Sequence, residues 1–289
     1  MKFDFFTLGG RFRWEDIYNY QDWRIQRHIK ARKYRLLDPY DIRRDSGSFS
    51  KCQNALLKYI HACEIDRPYD DTVIILHDFA RTRNSVQYLA DSLKESNKNI
   101  IAVNYASLHK NIAAHVQLLT QFLQNIEIKN NLYFINVGAA CLITRKLLNS
   151  NNNYHLYNVA GVVDINPINS GSDLAELLDT RRFCRRLFGP MLTEIKTRQA
   201  LSIPKLPQGV PHGIIFCPST IHKLTKKLLA RFESFPFLTP PSEQSYADKI
   251  KYITDSTFFP LENRDLFLNC LQYLTTGDFI DDNDDAPTE

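Results

Sequence analysis

The sequence lacks any run of about 18 apolar residues, the length that spans a bilayer. Its first ten residues, MKFDFFTLGG, also lack the long apolar centre of a secretory signal. There is no C-x-x-C pair, and the histidines form no cluster with the spacing of metal ligands. We therefore predict a soluble, cytoplasmic protein with no metal and no cofactor. The six scattered cysteines are interpreted as buried thiols rather than as a disulfide framework.

Composition and charge narrow the class of protein further. Of the 289 residues, 44% are hydrophobic and 24% are charged, with both signs interleaved and a net charge of +4. This apolar content is enough to bury a core in one large domain or two small ones. Because the chain is only mildly basic, its bulk charge predicts no nucleic-acid partner.

From residue 71 onward, short apolar runs alternate with segments whose apolar residues recur at spacings of three and four. The runs are typical of strands buried on both faces, and the segments between them are typical of helices. This alternation predicts an α/β architecture, a mostly parallel sheet with helices on both faces. The predicted strands are TVIIL at 72, NIIAVN at 99, NLYFIN at 131, VAGVVDIN at 159, GIIFC at 213 and KIKYIT at 249, and the predicted helices cover residues 84–96, 109–126, 139–150, 222–232 and 262–277.

The chain is expected to consist of an extension, a main domain and a tail. Residues 1–65 form an extension packed on the core, residues 66–280 form the main domain, and residues 281–289 form an acidic tail whose composition predicts disorder. Within the main domain, residues 173–211 carry no strand signal and are predicted to form a cap-like helical insertion. Asp173, with Glu176 three residues later, has the spacing of a helix N-cap pair.

Two basic segments raise the question of an anionic partner. Trp14 and Trp23 lie among several arginines of the extension, a composition that suits an anion or a nucleic acid. We favour a structural role, in which the aromatic rings anchor the extension and the arginine head groups meet water or nearby aspartates. The segment TRRFCRRLF, residues 180–188, offers a second basic face. There, a solvated surface is favoured over a bound lipid headgroup.

Five segments together resemble the α/β-hydrolase superfamily, and within it the small bacterial lipase-like and esterase-like proteins. They are VIILHDFARTRNSVQYLADSL, IIAVNYAS, YFINVGAACLITRKLL, GVVDINPINSGSDLAELL and KIKYITDSTFFPLENRDLFLNCLQYLTTGDF. The N-terminal WRIQR, RLLDP and IRR also resemble an extension seen in bacterial hydrolases, so the resemblance covers nearly the whole chain. It implies an α/β-hydrolase fold.

The resemblance implies an oxyanion hole after the first of these strands. In that family the strand ends in His-Gly, and the following loop supplies a backbone N–H. Here His77 is followed by Asp78, and Phe79 and Ala80 are expected to present main-chain amides. A carboxylate at Asp78 would oppose a developing oxyanion. His77 is explained at least as well by hydrogen bonds within the turn as by catalysis.

The family's nucleophile elbow, G-x-S-x-G, falls on NVGAA, residues 136–140. Gly138 stands in the place of the serine, and small neighbours such as Ala139 preserve the turn. Gly138 has no side chain and cannot attack a substrate. In the family, a histidine base follows the last strand. This sequence has Ser256 at that position, and a serine is no base at neutral pH. The loop after GIIFC contains no aspartate to serve as the acid of the catalytic triad.

The nucleophile, the base and the acid are all missing from their expected positions. This favours a pseudoenzyme, in which the fold is kept for binding. Its ligand would be a small hydrophobic or acyl compound, or a protein partner, in the former active-site cleft. Asn169 and Ser170 resemble the family segment that borders the substrate pocket and are candidate ligand contacts. A turn that caps the next helix explains the same residues.

Two other functions stay open. The first is an active serine or cysteine ester hydrolase with relocated groups, for which Ser219, His222 and Asp255 are candidates because they lie beyond strand ends. Cys141, three residues after the elbow glycine, is the candidate thiol. The second is an interaction protein that works through its basic N-terminal extension, for which we expect strongly salt-dependent binding.

Overall fold

The computed structural model describes residues 11–65, 69–150, 157–217, 246–253 and 260–281. Several predictions concern residues outside these ranges. They are the relocated candidates Ser219, His222 and Asp255, the base position Ser256, the helix at 222–232 and most of the acidic tail.

A four-stranded antiparallel sheet precedes the main sheet, and the sequence analysis did not predict it. Its first two strands meet at Gln21 and Asp22, which both have positive φ (49° and 65°) while Tyr20 pairs with Trp23. Two-residue turns of this kind are usually recognised by Asn-Gly or Asp-Gly, so the absence of glycine hides the hairpin in the sequence. The strands, in spatial order, are β1 (Trp14–Tyr20), β2 (Trp23–His28), β3 (Tyr34–Leu37) and β4 (Arg43–Gly47).

The main sheet has six strands among the described residues, all parallel, which confirms the α/β class. Across the sheet the order is β10-β9-β8-β7-β5-β6. The strands are β5 (Thr72–Leu76), β6 (Asn99–Val103), β7 (Asn131–Val137), β8 (Asn158–Ile165), β9 (His212–Phe216) and β10 (Lys249–Tyr252). All six lie where the apolar runs predicted them. The prediction that each strand is buried on both faces was wrong for β10. Its residues are half-buried or exposed, because β10 is at the edge of the sheet.

Helices cover both faces of this sheet. Among the described residues, the helices outside the insertion are α1 (Phe49–Ala62), α2 (Gln87–Leu93), α3 (Ile112–Asn125), α4 (Ala140–Leu148) and α9 (Arg264–Thr276). Alternate residues of β5 point to opposite sides: Ile74 packs with α3 and α4, while Val73 packs with α2 and α9. No helix in the described ranges has the length and apolar content to cross a membrane.

The insertion contains four short helices, two more than its sequence predicted. They are α5 (Asp173–Asp179), α6 (Arg182–Phe188), α7 (Met191–Glu194) and α8 (Thr197–Leu201). The predicted N-cap was wrong by one residue: Ser172, not Asp173, caps α5, because the Ser172 hydroxyl accepts a hydrogen bond from the Ala175 N–H at 3.3 Å.

Asn104, at the carboxyl end of β6, joins the extension to the core. Its amide group donates to the Trp14 carbonyl (2.6 Å), and its backbone N–H donates to Asp16 Oδ2 (2.7 Å). Its side-chain oxygen accepts the Arg83 N–H at 3.0 Å. Ile17 and Trp23 belong to the apolar cluster on the α3 and α4 face of the main sheet. The extension therefore shares both polar and apolar contacts with the core.

The side chains of the extension pair internally. Trp23 stacks on Tyr59 of α1 at 4.7 Å between ring centroids, and the Arg35 guanidinium lies 4.2 Å from the Trp14 ring centroid. Arg24 binds Asp41, and Arg44 binds Asp38 at 2.6 Å. These contacts match the structural role favoured for the basic extension.

The cysteine interpretation was correct for four residues and wrong for two. Cys52, Cys141, Cys217 and Cys270 are buried, whereas Cys63 is exposed and Cys184 is half-buried. Cys63 is the C-cap residue of α1, and Cys184 lies on α6 of the insertion.

Candidate functional site

The turn between β7 and α4 has a left-handed backbone at Gly138. Its φ is 56°, a conformation that glycine adopts without the strain imposed by a Cβ. The Gly138 N–H donates to the Ile165 carbonyl (3.0 Å), which ties the turn to the end of β8. A strand, a sharp turn and a helix follow one another here, which is the geometry of a nucleophile elbow.

The side chain of Asp78 fills the space in front of this turn. Asp78 Oδ1 accepts hydrogen bonds from two backbone amides, Phe79 N–H at 2.7 Å and Ala139 N–H at 2.8 Å. A Cβ built on Gly138 would lie 2.2 Å from the same oxygen and 2.3 Å from the carboxyl carbon. The carboxylate therefore occupies the place where a nucleophilic side chain would begin.

The two amides that bind Asp78 come from the positions that form an oxyanion hole. One belongs to the residue after the elbow position, and the other to the loop that follows β5. The sequence analysis expected the Phe79 amide here and treated Asp78 as a neighbouring charge. Instead, the Asp78 carboxylate accepts hydrogen bonds from both amides. Ala80 lies at the next position of the loop, with a φ of 55°.

Burial raises the pKa of Asp78 above its ordinary value, although the two amides and nearby Arg81 act in the opposite direction. Desolvation disfavours the charged carboxylate, while N–H donors favour it. This balance means that the hydrogen bonds to Phe79 and Ala139 do not fully compensate the carboxylate for the loss of water.

His77 is held in the turn by hydrogen bonds and points into the core. It is fully buried, and its ring stacks on Tyr105 with 4.1 Å between centroids. Its Nδ1 lies 2.9 Å from the Asp78 carbonyl and its Nε2 accepts the Tyr105 N–H at 3.3 Å, so Nδ1 carries the proton. Burial lowers the pKa of His77 to about 4. The ring is neutral, and both nitrogens are occupied.

Asn169, which was expected to contact a ligand, contacts Arg145 instead. It is fully buried, and its carbonyl and side-chain oxygens both accept from Arg145 Nη1, at 3.0 and 3.1 Å. Arg145 is itself buried and also donates to the carbonyls of Ile203 and Pro204. Ser170, the next residue, is half-buried. The sequence analysis missed Arg145; its only signal was an arginine within the apolar helix AACLITRKLL.

A chain of buried polar groups runs from α4 across three strands. The Thr144 hydroxyl donates to Asn136 Oδ1 (2.7 Å), and Asn136 Nδ2 donates to Asp164 Oδ1 (2.8 Å). His212 Nε2 lies 2.9 Å from Asp164 Oδ2. Burial lowers the pKa of His212, but the Asp164 charge and hydrogen bond outweigh it, so the net shift is upward. The sequence analysis found only that the histidines lack metal-ligand spacing and did not predict this chain of hydrogen bonds.

The helical insertion packs over the loop that carries Asp78. Phe188 of α6 lies 6.1 Å from Phe79 between ring centroids. The backbone after α6 approaches the loop after β6 so closely that a Cβ on Gly189 would lie 1.9 Å from the Leu108 carbonyl oxygen. Cys141, the candidate thiol, is fully buried on α4 and has no solvent access.

No known protein family matches this sequence, and no curated protein does either. Among solved structures, the mature lipase BlEst2 of Bacillus licheniformis is similar at 13% identity, with a TM-score of 0.48 over 72% of this chain and 94% of that one. A lipase-esterase related protein from Clostridium acetobutylicum gives 11% identity and a TM-score of 0.44, and the match covers 74% of this chain and 96% of that one. Phospholipase PlaB of Legionella pneumophila gives 19% identity and a TM-score of 0.43, and the match covers 50% of this chain and 37% of that one.

These likenesses are distant, so the fold is assigned from the topology of the chain itself. The sequence resemblance implied an elbow after the third parallel strand in chain order, and β7 is that strand. The elbow lies at the carboxyl end of the sheet, the edge at which ligands of open α/β sheets bind. The parallel strand order, the left-handed turn at Gly138 and the facing amides of Phe79 and Ala139 together give this chain the α/β-hydrolase fold.

Proposed function

We propose that this chain is a non-catalytic member of the α/β-hydrolase fold, whose role is to bind a protein or a small apolar ligand rather than to turn over an ester. One observation carries the proposal: Asp78 occupies both the space of a nucleophile at position 138 and the hydrogen-bond donors of the oxyanion hole. Acyl transfer needs a nucleophile at the elbow and free N–H donors for the oxyanion, and Asp78 blocks both.

The groups that acyl transfer would need are already engaged in other contacts. A substrate oxygen would have to displace a carboxylate that already accepts two backbone N–H bonds. Removing a single oxyanion-hole donor from an active hydrolase costs about 100-fold to 1,000-fold in rate. In subtilisin, loss of the catalytic serine or histidine lowers the rate about a million-fold. Here the elbow residue is glycine, and His77 is neutral with both nitrogens bonded.

The test is intact-mass spectrometry of the full chain after exposure to a fluorophosphonate probe, together with turnover of a short-chain nitrophenyl ester. An active serine hydrolase serves as the positive control. We expect no adduct and no turnover above the buffer rate. A stoichiometric adduct would overturn the proposal, and peptide mapping would name the nucleophile. Turnover without an adduct that disappears in Cys141→Ala would favour the cysteine alternative.

A matched variant tests whether Asp78 is the obstacle. Asp78→Gly combined with Gly138→Ser frees the two amides and restores a hydroxyl at the elbow. We expect this double variant to bind the probe slowly or not at all, because both ring nitrogens of His77, the histidine of the facing loop, are hydrogen-bonded and cannot serve as a base. Rapid labelling of the double variant would show that a base is present and that only Asp78 and Gly138 prevent catalysis.

A further inference from the structure

The outer face of α6 combines arginines with exposed apolar side chains. Phe183 is 75% exposed and Leu187 is 54% exposed. They are four residues apart and share one face of the helix, and Arg182 and Arg186, also four apart, lie beside them. Cys184 and Phe188, on the opposite side, are half-buried. The face turned to solvent is therefore both apolar and positively charged.

The charges on this face have no partners in the described part of the chain. Among the described residues, no carboxylate lies within ion-pair distance of Arg182 or Arg186, and α6 contains no acidic residue. Arg185, which is also exposed, is different: its Nε lies 3.3 Å from Asp179 Oδ1. The arginines Arg24, Arg27 and Arg44 of the extension are also ion-paired. Within the described ranges, the outer arginines of α6 are thus open to an external anion.

Exposed apolar side chains are concentrated on the same insertion. Five of the ten most exposed large apolar residues among those described belong to it, although it is a small part of the chain. They are Leu174, Leu177, Phe183, Leu187 and Leu201. They lie on α5, α6 and α8, and exposed apolar side chains gathered on one insertion favour an interaction surface.

We propose that the outer face of α6 docks on the surface of an anionic phospholipid membrane. The arginines match lipid phosphates, and Phe183 and Leu187 match the boundary between headgroups and acyl chains. A second copy of this chain is a poor fit, because it would bring the unpaired arginines of two identical faces together. A nucleic acid would leave the exposed phenylalanine and leucine without apolar contacts. The inference does not depend on whether the elbow is catalytic.

The test is flotation of the full chain with phosphatidylcholine vesicles, with and without about 30% phosphatidylglycerol. We expect binding only to the anionic vesicles and weaker binding at higher salt. Arg182→Gln with Arg186→Gln should weaken it by about tenfold or more. Phe183→Ser with Leu187→Ser should produce a similar loss, because apolar insertion is removed while the charge is unchanged.

Matched control variants use exposed residues of the extension. Arg43→Gln with Lys58→Gln makes the same change in net charge, and Leu57→Ser removes an apolar side chain that is 56% exposed on α1. Neither should change vesicle binding by more than about twofold. The proposal would be overturned if the wild-type protein did not bind anionic vesicles, or if the control variants lost as much vesicle binding as the α6 variants. A dimer abolished by Phe183→Ser with Leu187→Ser, without vesicle binding, would assign the face to a second copy.

Discussion

The Asp78 carboxylate and a side chain at residue 138 exclude one another: a Cβ at Gly138 would lie 2.2 Å from Asp78 Oδ1. Real Cβ contacts essentially never fall below 3.0 Å, so one of the two groups must move if residue 138 gains a side chain. Asp78 is held by the Phe79 and Ala139 amides, which makes its displacement costly. Aspartate at 78 and glycine at 138 are therefore a matched pair.

Gly138→Ala should destabilise the protein by about 3 kcal/mol, from left-handed backbone strain together with the clash against Asp78. Gly277→Ala is the matched control, because Gly277 has a φ of 76° and nothing within 4 Å of an added Cβ. It should cost only about 1 kcal/mol. Guanidinium unfolding measures both. Adding Asp78→Gly to Gly138→Ala should recover most of the difference, and equal costs at the two glycines would show that Asp78 is no obstacle.

The His212 and Asp164 pair should make stability depend on pH. Since the pKa of His212 is raised in the folded state, its stabilising contribution is complete below pH 6.5 and is lost as the pH rises through the folded pKa. Asp164→Asn should cost about 3 kcal/mol in mildly acidic buffer and flatten this dependence. The free energy of unfolding, measured from mildly acidic to alkaline pH, checks both.

The control for this pH dependence is Asp248→Asn. Asp248 is exposed and accepts the His212 backbone N–H at 3.0 Å, and it makes a smaller contribution to the pKa of His212 than Asp164 does. Its loss should leave most of the pH dependence in place. If Asp164→Asn leaves the slope unchanged above pH 6.5, His212 is not the titrating group.

Arg145 should be irreplaceable by lysine. Its guanidinium donates to four oxygens, from Asn169, Ile203 and Pro204, and joins α4 to the loop before the insertion and to the loop after α8. A lysine ammonium lacks the planar fork and reaches fewer of them. Arg145→Lys should cost about 2–4 kcal/mol in denaturant unfolding and speed proteolysis near residues 202–211. Lys146→Arg, at the half-buried neighbour, is the control and should change neither result.

The extension and the core should unfold together. Both tryptophans, Trp14 and Trp23, lie in the extension, so their fluorescence reports on it, whereas the helices seen by far-UV circular dichroism lie mostly in the core. Because Asn104 and the shared apolar cluster connect the two parts, the two transitions should coincide. An earlier fluorescence transition in the wild type would show that the extension is a separate folding unit.

Asn104→Ala probes the same connection. It removes the hydrogen bonds to Trp14 and Arg83 and leaves buried polar groups without partners, at an expected cost of about 2–3 kcal/mol. Its transitions should still coincide, at a lower denaturant concentration. Asn54→Ala, at an exposed position of α1, is the control and should cost less than about 0.5 kcal/mol.

The sequence by itself determined the parallel sheet, because strands buried on both faces must be continuous apolar runs, and helices that pack on one side repeat with the helical period. It also determined that residue 138 carries no nucleophile, since that depends on residue identity alone. Local signals failed at the hairpin through Gln21 and Asp22, whose left-handed turn contains no glycine.

Only the tertiary structure decided what fills the elbow. Asp78 and Ala139 are 61 positions apart, and their hydrogen bond exists because β5 and β7 are neighbours in the sheet. The same holds for Arg145 with Asn169 and for Asp164 with His212, whose burial and charge arise from strands and loops distant in the chain. A sequence gives the chemistry of each group. The pairing that fixes its protonation and access comes from packing between segments that no local pattern connects.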